Sequence, residues 1–276
     1  MDKKAFSMQE KIIQSLGELR EKQPLVHNIT NDVVTNTTAN ALLAIGASPI
    51  MAQAIEEVAD MVGITNSLVI NSGTLTRSSL ESMILATETA HNLDKRWILD
   101  PVGVGATPFR LTSNKQLLEY KPSVVRGNAS EIKALFTGAN EGKGVDSSSS
   151  SESTLHFIQE KAREHQLVIA VTGATDYVTD GYEVYQINNG HPMMARVTGT
   201  GCTATAIIGA FLAICDTPLM AAVSGLTCLG IAGELASMDC PGPGSLQLRM
   251  LDELYRLDQS TIQKFEKVSN LRRSCH

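Results

Sequence analysis

The sequence predicts an α/β protein in three α/β/α layers, with a mostly parallel central sheet between two helical layers. Short apolar runs alternate with longer helix-like segments over most of the 276 residues, and this alternation is typical of parallel sheets covered by helices. Two of the runs, Leu68–Ile70 and Val168–Val171, are apolar throughout, as strands buried on both faces are. We expect one domain over residues 1–276, because the polar, low-complexity stretch Ser147–Ser151 is too short to link two domains.

Each element follows from its own segment. The runs that predict strands are, in chain order, Leu25–Ile29, Ser48–Met51, Leu68–Asn71, Trp97–Asp100, Ser123–Arg126, Leu167–Thr172, Tyr177–Thr179 and Glu183–Ile187. The segments that predict helices between them are Asp32–Ile45, Ala54–Val62, Ser78–Leu93, Ser130–Phe136 and Ser153–Glu164. An Asp-Gly pair at 180–181 predicts a hairpin turn that adds antiparallel strands at one sheet edge. From Gly201 onward we expect only helix, ending in a charged amphipathic stretch from Ser245 to about Arg273.

Composition excludes several classes of function. The formal net charge is −6, and the chain has no basic run, so nucleic acid is not an expected partner. The five cysteines show no CxxC pair or His/Cys ligand spacing, which argues against a disulfide framework and a zinc site. The apolar runs Thr203–Cys215 and Thr217–Gly233 are shorter than the ~20 residues of a membrane span. We read both as core helices and expect a soluble, cytoplasmic protein without a membrane partner.

The most informative motif is a glycine-rich turn, Gly199-Thr200-Gly201-Cys202, that runs straight into a long apolar segment. Glycines let a backbone approach a ligand closely, and the first turn of a helix offers free N–H groups and a positive dipole end. Together these features favour a phosphate site. At this helix start the dipole is expected to lower the pKa of the Cys202 thiol. The motif therefore suggests phosphoryl transfer to a small hydroxyl compound, with an ordinary strand-to-helix turn as the alternative.

Polar residues at the ends of other predicted strands point to the same place. Ligands of parallel sheets bind outside the carboxyl ends of the strands, where the sequence puts Asp100, Arg126, Asn128, Glu131 and Thr172. The aspartate can bind Mg²⁺ or cap a turn. The arginine and the threonine can contact phosphate or lie on the surface. The Asn-x-x-Glu spacing can order metal-bound water, although the spacing alone favours a capping box.

Two further features lie nearer the amino terminus. The segment from Asn28 to Asn40 is dense in Asn and Thr. Such residues cap helices and form turns, but a polar binding face is a competing explanation. Met51 closes a predicted strand, where its soft sulfur can pack on a flat heterocycle or simply fill the core.

As a set, five motifs resemble those of hydroxyethylthiazole kinases in order and in spacing. They are His27-Asn28-Ile29-Thr30-Asn31, Ser48-Pro49-Ile50-Met51-Ala52, Asp100-Pro101-Val102-Gly103, Arg126-Gly127-Asn128-x-Ser130-Glu131 and Gly199-Thr200-Gly201-Cys202. The resemblance runs from about residue 24 to the final helices. It implies a ribokinase-like fold without a separate lid domain, and a homotrimer with three active sites between subunits.

The resemblance also implies an activity and a set of roles. The activity is ATP-dependent phosphorylation of the hydroxyl of 4-methyl-5-(2-hydroxyethyl)thiazole, a salvage step toward thiamine. By similarity, three residues would bind ATP: Arg126, Thr172 and Asn128. Two carboxylates would organise Mg²⁺: Asp100 and Glu131. Met51 and Gly199 would line the thiazole pocket. Asn31 would reach the thiazole of the neighbouring subunit.

The glycine turn itself would act in catalysis, with one departure from the superfamily pattern. The turn usually ends in an aspartate that serves as base toward the substrate hydroxyl, whereas this chain has Cys202, as some thiazole kinases do. Our hypothesis is that the thiol orients or weakly deprotonates the hydroxyl. The N–H groups of Gly199, Thr200, Gly201 and Cys202 would hold the transferring phosphoryl group.

Three other functions remain as alternatives. A hydroxymethylpyrimidine or sugar kinase would share the fold and the nucleotide site, but the amino-terminal motif fits the thiazole family better. A dehydratase of hydrated nicotinamide nucleotides uses a similar turn, normally with aspartate. A thiazole-binding protein without catalysis would also explain the missing aspartate.

Overall fold

The computed structural model describes residues 6–138 and 151–271. Its strands are β1 Leu25–Ile29, β2 Ser48–Ile50, β3 Ser67–Asn71, β4 Trp97–Asp100, β5 Val124–Asn128, β6 Val168–Thr172, β7 Asp176–Thr179, β8 Val184–Ile187 and β9 Val268–Asn270. They form one sheet in the order β2-β1-β3-β4-β5-β6-β7-β8-β9. The first six strands of this order pair in parallel and the last three pair antiparallel. The predicted mostly parallel sheet and its antiparallel hairpin are thus confirmed.

Helices cover both faces of the sheet. They are α1 Met8–Lys22, α2 Thr35–Ile45, α3 Val58–Ile64, α4 Arg77–Asn92, α5 Pro108–Leu118, α6 Ala129–Thr137, α7 Ser151–His165, α8 Thr200–Leu212, α9 Pro218–Ser237, α10 Pro243–Arg256 and α11 Gln259–Phe265, with a short 3₁₀ helix at Pro192–Arg196. Helices α1, α2 and α8 to α11 pack on one face, and α3 to α7 on the other.

Alternation along the strands explains why both faces are apolar. In β3, Val69 belongs to the core under α8 and α9, whereas Leu68 and Ile70 belong to the opposite core. Ile98 and Leu99 of β4 divide in the same way. Since successive strand residues point to opposite faces, a strand that is apolar throughout supplies two cores. The three-layer prediction is therefore confirmed.

The two long apolar runs are core helices, as predicted. All ten residues from Thr203 to Leu212 in α8 are buried. Helix α9 is long and apolar enough to cross a membrane, with a mean hydropathy of 1.6, yet 78% of its most apolar window is buried inside the protein. Its hydrophobicity is accounted for by packing against α8, α10 and the sheet.

The carboxyl-terminal prediction was wrong in part. The chain beyond Gly201 is not wholly helical: α10 ends at Arg256, α11 ends at Phe265, and the amphipathic stretch gives way to β9. Strand β9 pairs with β8 through Ile187 and Val268, which supplies hydrogen bonds to a strand that would otherwise form the sheet edge. A strand of three residues is too short to show a period in the sequence.

Several boundaries and two helices also differ from the predictions. The helix expected from Asp32 begins at Thr35, because the residues before it form a turn closed by Val34 N–H donating to the Asn31 carbonyl at 3.2 Å. The helix expected at 54–62 is α3 at 58–64. Helices α1 and α5 were not predicted. The predicted loop Ser147–Ser151 lies outside the described residues, apart from its last residue, where α7 begins.

Helix α8 lies close to the centre of the sheet because Gly209 has no side chain. A Cβ at this position would collide with a methyl group of Val69, and the Gly209 carbonyl accepts a hydrogen bond of 2.6 Å from the Ser67 hydroxyl in β3. Close backbone approach at a glycine is therefore what sets the depth of α8.

We expect Gly209→Ala to lower the free energy of unfolding by about 1–3 kcal/mol, because overpacking outweighs the gain in helix propensity. Gly17→Ala is the matched control: Gly17 lies in the exposed part of α1, and a Cβ there meets no described atom within 4 Å. This control is expected to stabilise the protein by about 0.5–1 kcal/mol. Urea unfolding of both variants measures the difference. Equal effects of the two substitutions would contradict the packing argument.

Candidate active site

The glycine turn at the start of α8 is shaped by two close contacts. Gly199 is the N-terminal cap, with φ of +79°, and a Cβ there would collide with Val34. A Cβ at Gly201 would lie 2.7 Å from Nη1 of Arg126. The Thr200 hydroxyl donates to the carbonyls of Met194 and Val197, at 3.1 and 2.9 Å. The threonine side chain therefore secures the turn, and the glycines let the helix start meet the arginine.

Asp100, at the end of β4, is the buried centre of the site. Its side chain is 0% exposed. Its Oδ2 accepts hydrogen bonds from Asn71 Nδ2 at 2.7 Å and from the Thr205 hydroxyl at 2.8 Å, and it lies 3.7 Å from Arg126 Nη1. Its Oδ1 has no hydrogen-bond partner among the described residues. One carboxylate thus joins β3, β4, β5 and α8, with one oxygen left for a ligand.

Burial has the largest effect on the pKa of the Asp100 carboxyl. It raises the pKa of Asp100 from 3.8 to about 6, although Arg126 and the hydrogen bond from Thr205 act in the opposite direction. The negative charge of Glu131 raises this pKa further. A carboxylate held ionised at neutral pH in such a place favours a positive ligand nearby.

Arg126 lines a large cavity on the β5 and β6 side of Asp100. Its Nη2 donates to the Thr172 hydroxyl, and its side chain is 11% exposed. The cavity, which we call the Arg126 cavity, has a volume of about 540 Å³. Its other walls are Asp176, the 189–195 segment, the α8 residues Thr200, Gly201 and Ala204, and the α9 residues Leu226, Leu229 and Gly230. Arginine, threonine and the start of α8 therefore converge on one space, as predicted.

Asn128 and Glu131 form the capping box that their spacing favoured. Asn128 Oδ1 accepts from the Glu131 N–H at 2.9 Å, and Glu131 Oε2 accepts from the Asn128 N–H at 2.9 Å. Glu131 Oε1 accepts from the Gly103 N–H at 2.9 Å. The glutamate therefore ties the loop after β4 to the start of α6. Asn128 is exposed.

Cys202 lies between Asp100 and the amino-terminal polar segment. Its sulfur accepts a hydrogen bond of 3.4 Å from Asn31 Nδ2 in the same chain. The predicted lowering of its pKa was wrong. Burial raises the pKa of Cys202, and the Asp100 charge adds to this, against the opposing effects of the Asn71 and Asn31 amides and of Arg126. Dehydration of the thiolate is the largest of these effects.

A second cavity, the Asn31 cavity, opens on the β1 and β3 side of the thiol and has a volume of about 350 Å³. It is lined by residues of the loops after β1, β2 and β3 and by the start of α4, among them Asn31, Gln53, Ile55, Asn71 and Thr74. Met51 directly follows β2 and is half-buried, but the loop after β2 contributes Gln53, Ala54 and Ile55 to the cavity wall and not Met51. His27 Nε2 bonds the Ala52 carbonyl at 2.7 Å and so fixes this wall.

Most of the predicted site residues come together, and three others join them. Asp100, Arg126, Thr172 and the glycine turn meet at the carboxyl edge of the sheet. Sequence reasoning missed Asn71 and Thr205, which bond Asp100. It also missed Asp176 in the Arg126 cavity, where burial raises the pKa to about 6. Asn71 ends a predicted strand, so the same strand-end rule could have found it.

The fold gives the class of the protein. A ribokinase-like superfamily protein from Enterococcus faecalis superposes with a TM-score of 0.61 over 94% of this chain and 100% of that chain, at 15% identity. Pyridoxal kinase from Staphylococcus aureus in complex with ADP superposes with a TM-score of 0.58 over 76% of this chain and 87% of that chain, at 16% identity. Likeness at such identities concerns the fold alone, and the fold is ribokinase-like.

Closer relatives give the family. The model of the hydroxyethylthiazole kinase family matches residues 16–260. A hydroxyethylthiazole kinase from Granulibacter bethesdensis is 54% identical over 253 residues, which cover 92% of each chain. The structure of a hydroxyethylthiazole kinase protein from Pyrococcus horikoshii superposes with a TM-score of 0.88 at 45% identity, over 95% of this chain and 99% of that chain. The chain therefore belongs to the hydroxyethylthiazole kinase family, and it is a phosphotransferase.

The raised pKa of Asp100 has a consequence for stability. In the unfolded chain this carboxyl ionises near pH 3.8, but in the folded chain near pH 6. The folded state therefore binds the proton more tightly, so this group's contribution to stability is lost as the pH rises from about 4 to 6.

We expect Asp100→Asn to gain stability relative to the unmodified protein as the pH rises from 4 to 7.5, by up to about 3 kcal/mol, because only the unmodified protein must ionise a buried carboxyl over this range. Its activity is expected to fall at least roughly 100-fold. Urea unfolding at both pH values tests this, with the exposed Asp252→Asn in α10 as the control that should change stability by less than about 0.5 kcal/mol. A stability difference between Asp100→Asn and the unmodified protein that is the same at both pH values would contradict the expectation.

Proposed function

We propose that this protein transfers the γ-phosphoryl group of ATP to the hydroxyl of 4-methyl-5-(2-hydroxyethyl)thiazole, giving the thiazole phosphate and ADP for thiamine synthesis. The observation that carries the proposal is the position of the glycine turn between two cavities. Thr200 and Gly201 line the Arg126 cavity, and Cys202 at the same turn touches Asn31 of the Asn31 cavity. A donor in one cavity and an acceptor in the other would meet at the start of α8. The names of the relatives supply the acceptor.

In this proposal ATP occupies the Arg126 cavity. Arg126 and Thr172 bind its phosphates, and Asn128 at the start of α6 contributes to the same site. The N–H groups of Gly199 to Cys202 hold the transferring phosphoryl group, where fixed donors stabilise the charge that develops. Arg126 already bonds Thr172, so both groups are oriented before the nucleotide binds.

We assign Asp100 and Glu131 to Mg²⁺. The buried Oδ1 of Asp100 lacks a partner among the described residues, and the Glu131 charge acts on the Asp100 carboxyl. Magnesium needs only one or two carboxylates when phosphates and water complete its shell. Within residues 6–138 and 151–271 there is no group of three or more His, Cys, Asp or Glu side chains that could hold a metal ion by themselves. Bound magnesium would neutralise charge on the phosphates.

The thiazole alcohol occupies the Asn31 cavity, whose wall includes Asn31. Met51 and Gly199 lie outside this wall and would contact the part of the alcohol that extends beyond it. Its hydroxyl points to Cys202. Because burial raises the pKa of this thiol, Cys202 is protonated at neutral pH and is a weak base. It orients the hydroxyl, and the reaction depends mainly on positioning and charge stabilisation.

A homotrimer with sites between subunits fits the surface around this cavity. Three large apolar side chains are exposed near the β1 and β2 edge of the sheet: Val33 (63%), Leu43 (58%) and Ile55 (43%). Ile55 also lines the Asn31 cavity. A neighbouring subunit that covers these side chains would close the cavity. We place the enzyme in the cytoplasm, with no nucleic acid or membrane partner.

The activity is tested by coupled release of ADP with Mg-ATP and the thiazole alcohol. We expect turnover that depends on the thiazole, with little or none from hydroxymethylpyrimidine or without an acceptor. Turnover with hydroxymethylpyrimidine but not with the thiazole would favour a hydroxymethylpyrimidine kinase. ATP binding without any turnover would favour a binding protein.

Cys202→Asp is expected to keep or raise kcat, because an ionised carboxylate can accept the hydroxyl proton at neutral pH, whereas the buried thiol is already protonated. Cys202→Ala is expected to lose at most roughly tenfold, since positioning and charge stabilisation remain. Steady-state kinetics with the thiazole measure both. A loss of more than about 100-fold in Cys202→Asp would show that the thiol itself is required.

A further inference from the structure

We propose that Asn71, at the end of β3, is a positioning residue of the phosphotransfer site. Its amide holds Asp100 through one atom and Asn31 through the other, and so fixes the distance between the two cavities. The inference rests on the proposed function for its chemistry, but its geometry stands by itself. Asn71 is 1% exposed.

The orientation of the Asn71 amide follows from its partners. Oδ1 accepts from the Gly73 backbone N–H at 3.0 Å, a group that can only donate. Nδ2 donates at 2.7 Å to Oδ2 of Asp100, which accepts when ionised. The reversed amide would place an N–H against an N–H and an oxygen against a carboxylate. The amide is therefore locked by one donor and one acceptor.

The fixed orientation of the Asn71 amide also fixes the Asn31 amide, which contacts Cys202. Because Asn71 presents Oδ1, Asn31 must present Nδ2 to it, at 2.8 Å. The same Nδ2 donates to the Cys202 sulfur at 3.4 Å, while Asn31 Oδ1 accepts from the Val33 N–H at 3.2 Å. The sequence of contacts from Asp100 through Asn71 and Asn31 to Cys202 thus admits one arrangement of donors. A thiol that receives this N–H is free to direct its own hydrogen elsewhere.

The two ends of this chain of contacts lie at different reacting groups. Asp100 lies 3.7 Å from Arg126, which lines the Arg126 cavity, whereas Cys202 bonds Asn31, which lines the Asn31 cavity. An amide that serves both ends sets donor and acceptor sites relative to each other, which is the geometric requirement of an in-line transfer. Loss of Asn71 should therefore act on kcat more than on the KM for the thiazole.

The test compares Asn71→Leu with Asn114→Leu. Leucine has the branched shape of asparagine but is larger and has no hydrogen-bonding atoms, and the matched control Asn114 carries the same excess volume. Asn114 is equally buried, and its side chain bonds the Ser72 hydroxyl and the Arg110 carbonyl, at 2.9 and 2.8 Å, rather than the side chains of Asp100, Asn31 or Cys202. Two readouts are used: steady-state kinetics with the thiazole, and the rate of iodoacetamide reaction at Cys202, followed by mass spectrometry of its peptide. The second readout needs no catalytic activity.

For Asn71→Leu we expect kcat to fall about 100-fold and KM for the thiazole to change by less than about threefold. Alkylation of Cys202 should slow about tenfold, because the thiolate loses its oriented donors. Asn114→Leu should leave the alkylation rate within about twofold. If Asn71→Leu does not fold, Asn71→Ala decides: it removes both the donor to Asp100 and the acceptor for Asn31 without adding volume, and should also lose about 100-fold in kcat.

An unchanged kcat, a loss confined to KM, or equal alkylation of Cys202 in the two leucine variants would overturn the proposal. If the unmodified protein does not phosphorylate the thiazole, the proposed function fails instead. In that case the alkylation rates still decide whether Asn71 positions Cys202.

Discussion

The site depends on one buried carboxylate. Asp100 is fully enclosed, and Asn71, Thr205 and Arg126 surround its Oδ2 from three different elements. A buried charge is costly unless it is paired, so these neighbours are held in place by the need to compensate it. The strands that supply them must end at one level, and α8 must start beside them. The arrangement of the carboxyl edge thus follows from this single electrostatic requirement.

The deep position of α8 makes the arrangement possible. Gly209 brings the helix onto β3, and Gly201 lets its start meet Arg126. Farther out, Glu234 of α9 binds Asn189 Nδ2, at 3.2 Å, and Lys267, at 2.8 Å, and so ties the wall of the Arg126 cavity to the segment that leads into β9. The strand that sequence analysis did not foresee therefore supports the cavity.

The sequence predicted the positions of those polar residues that follow a general rule of parallel sheets. Strand ends predicted Asp100, Arg126 and Thr172, because parallel strands deliver their carboxyl ends to one edge. It failed where the outcome depends on depth. The direction of the Cys202 pKa shift was wrong because the sequence does not show how deeply the start of a helix is buried. Asn71 was overlooked because an asparagine at the end of a strand resembles a turn residue. Strand β9 was missed because three residues carry no period. The roles of the site residues remain predictions.

Helix α8 is deeply buried in the core, and its first turn lines the Arg126 cavity. Any change that adapts its first turn to a new acceptor must also preserve the packing of α8 against the sheet on one side and against α9 on the other. The exposed residues Gln53, Ala54 and Ile55, in the loop of the Asn31 cavity that follows the edge strand β2, carry no such packing constraint. We therefore expect substitutions that change the accepted alcohol to occur in that loop. The residues at the start of α8 are kept because the packing of the core depends on them.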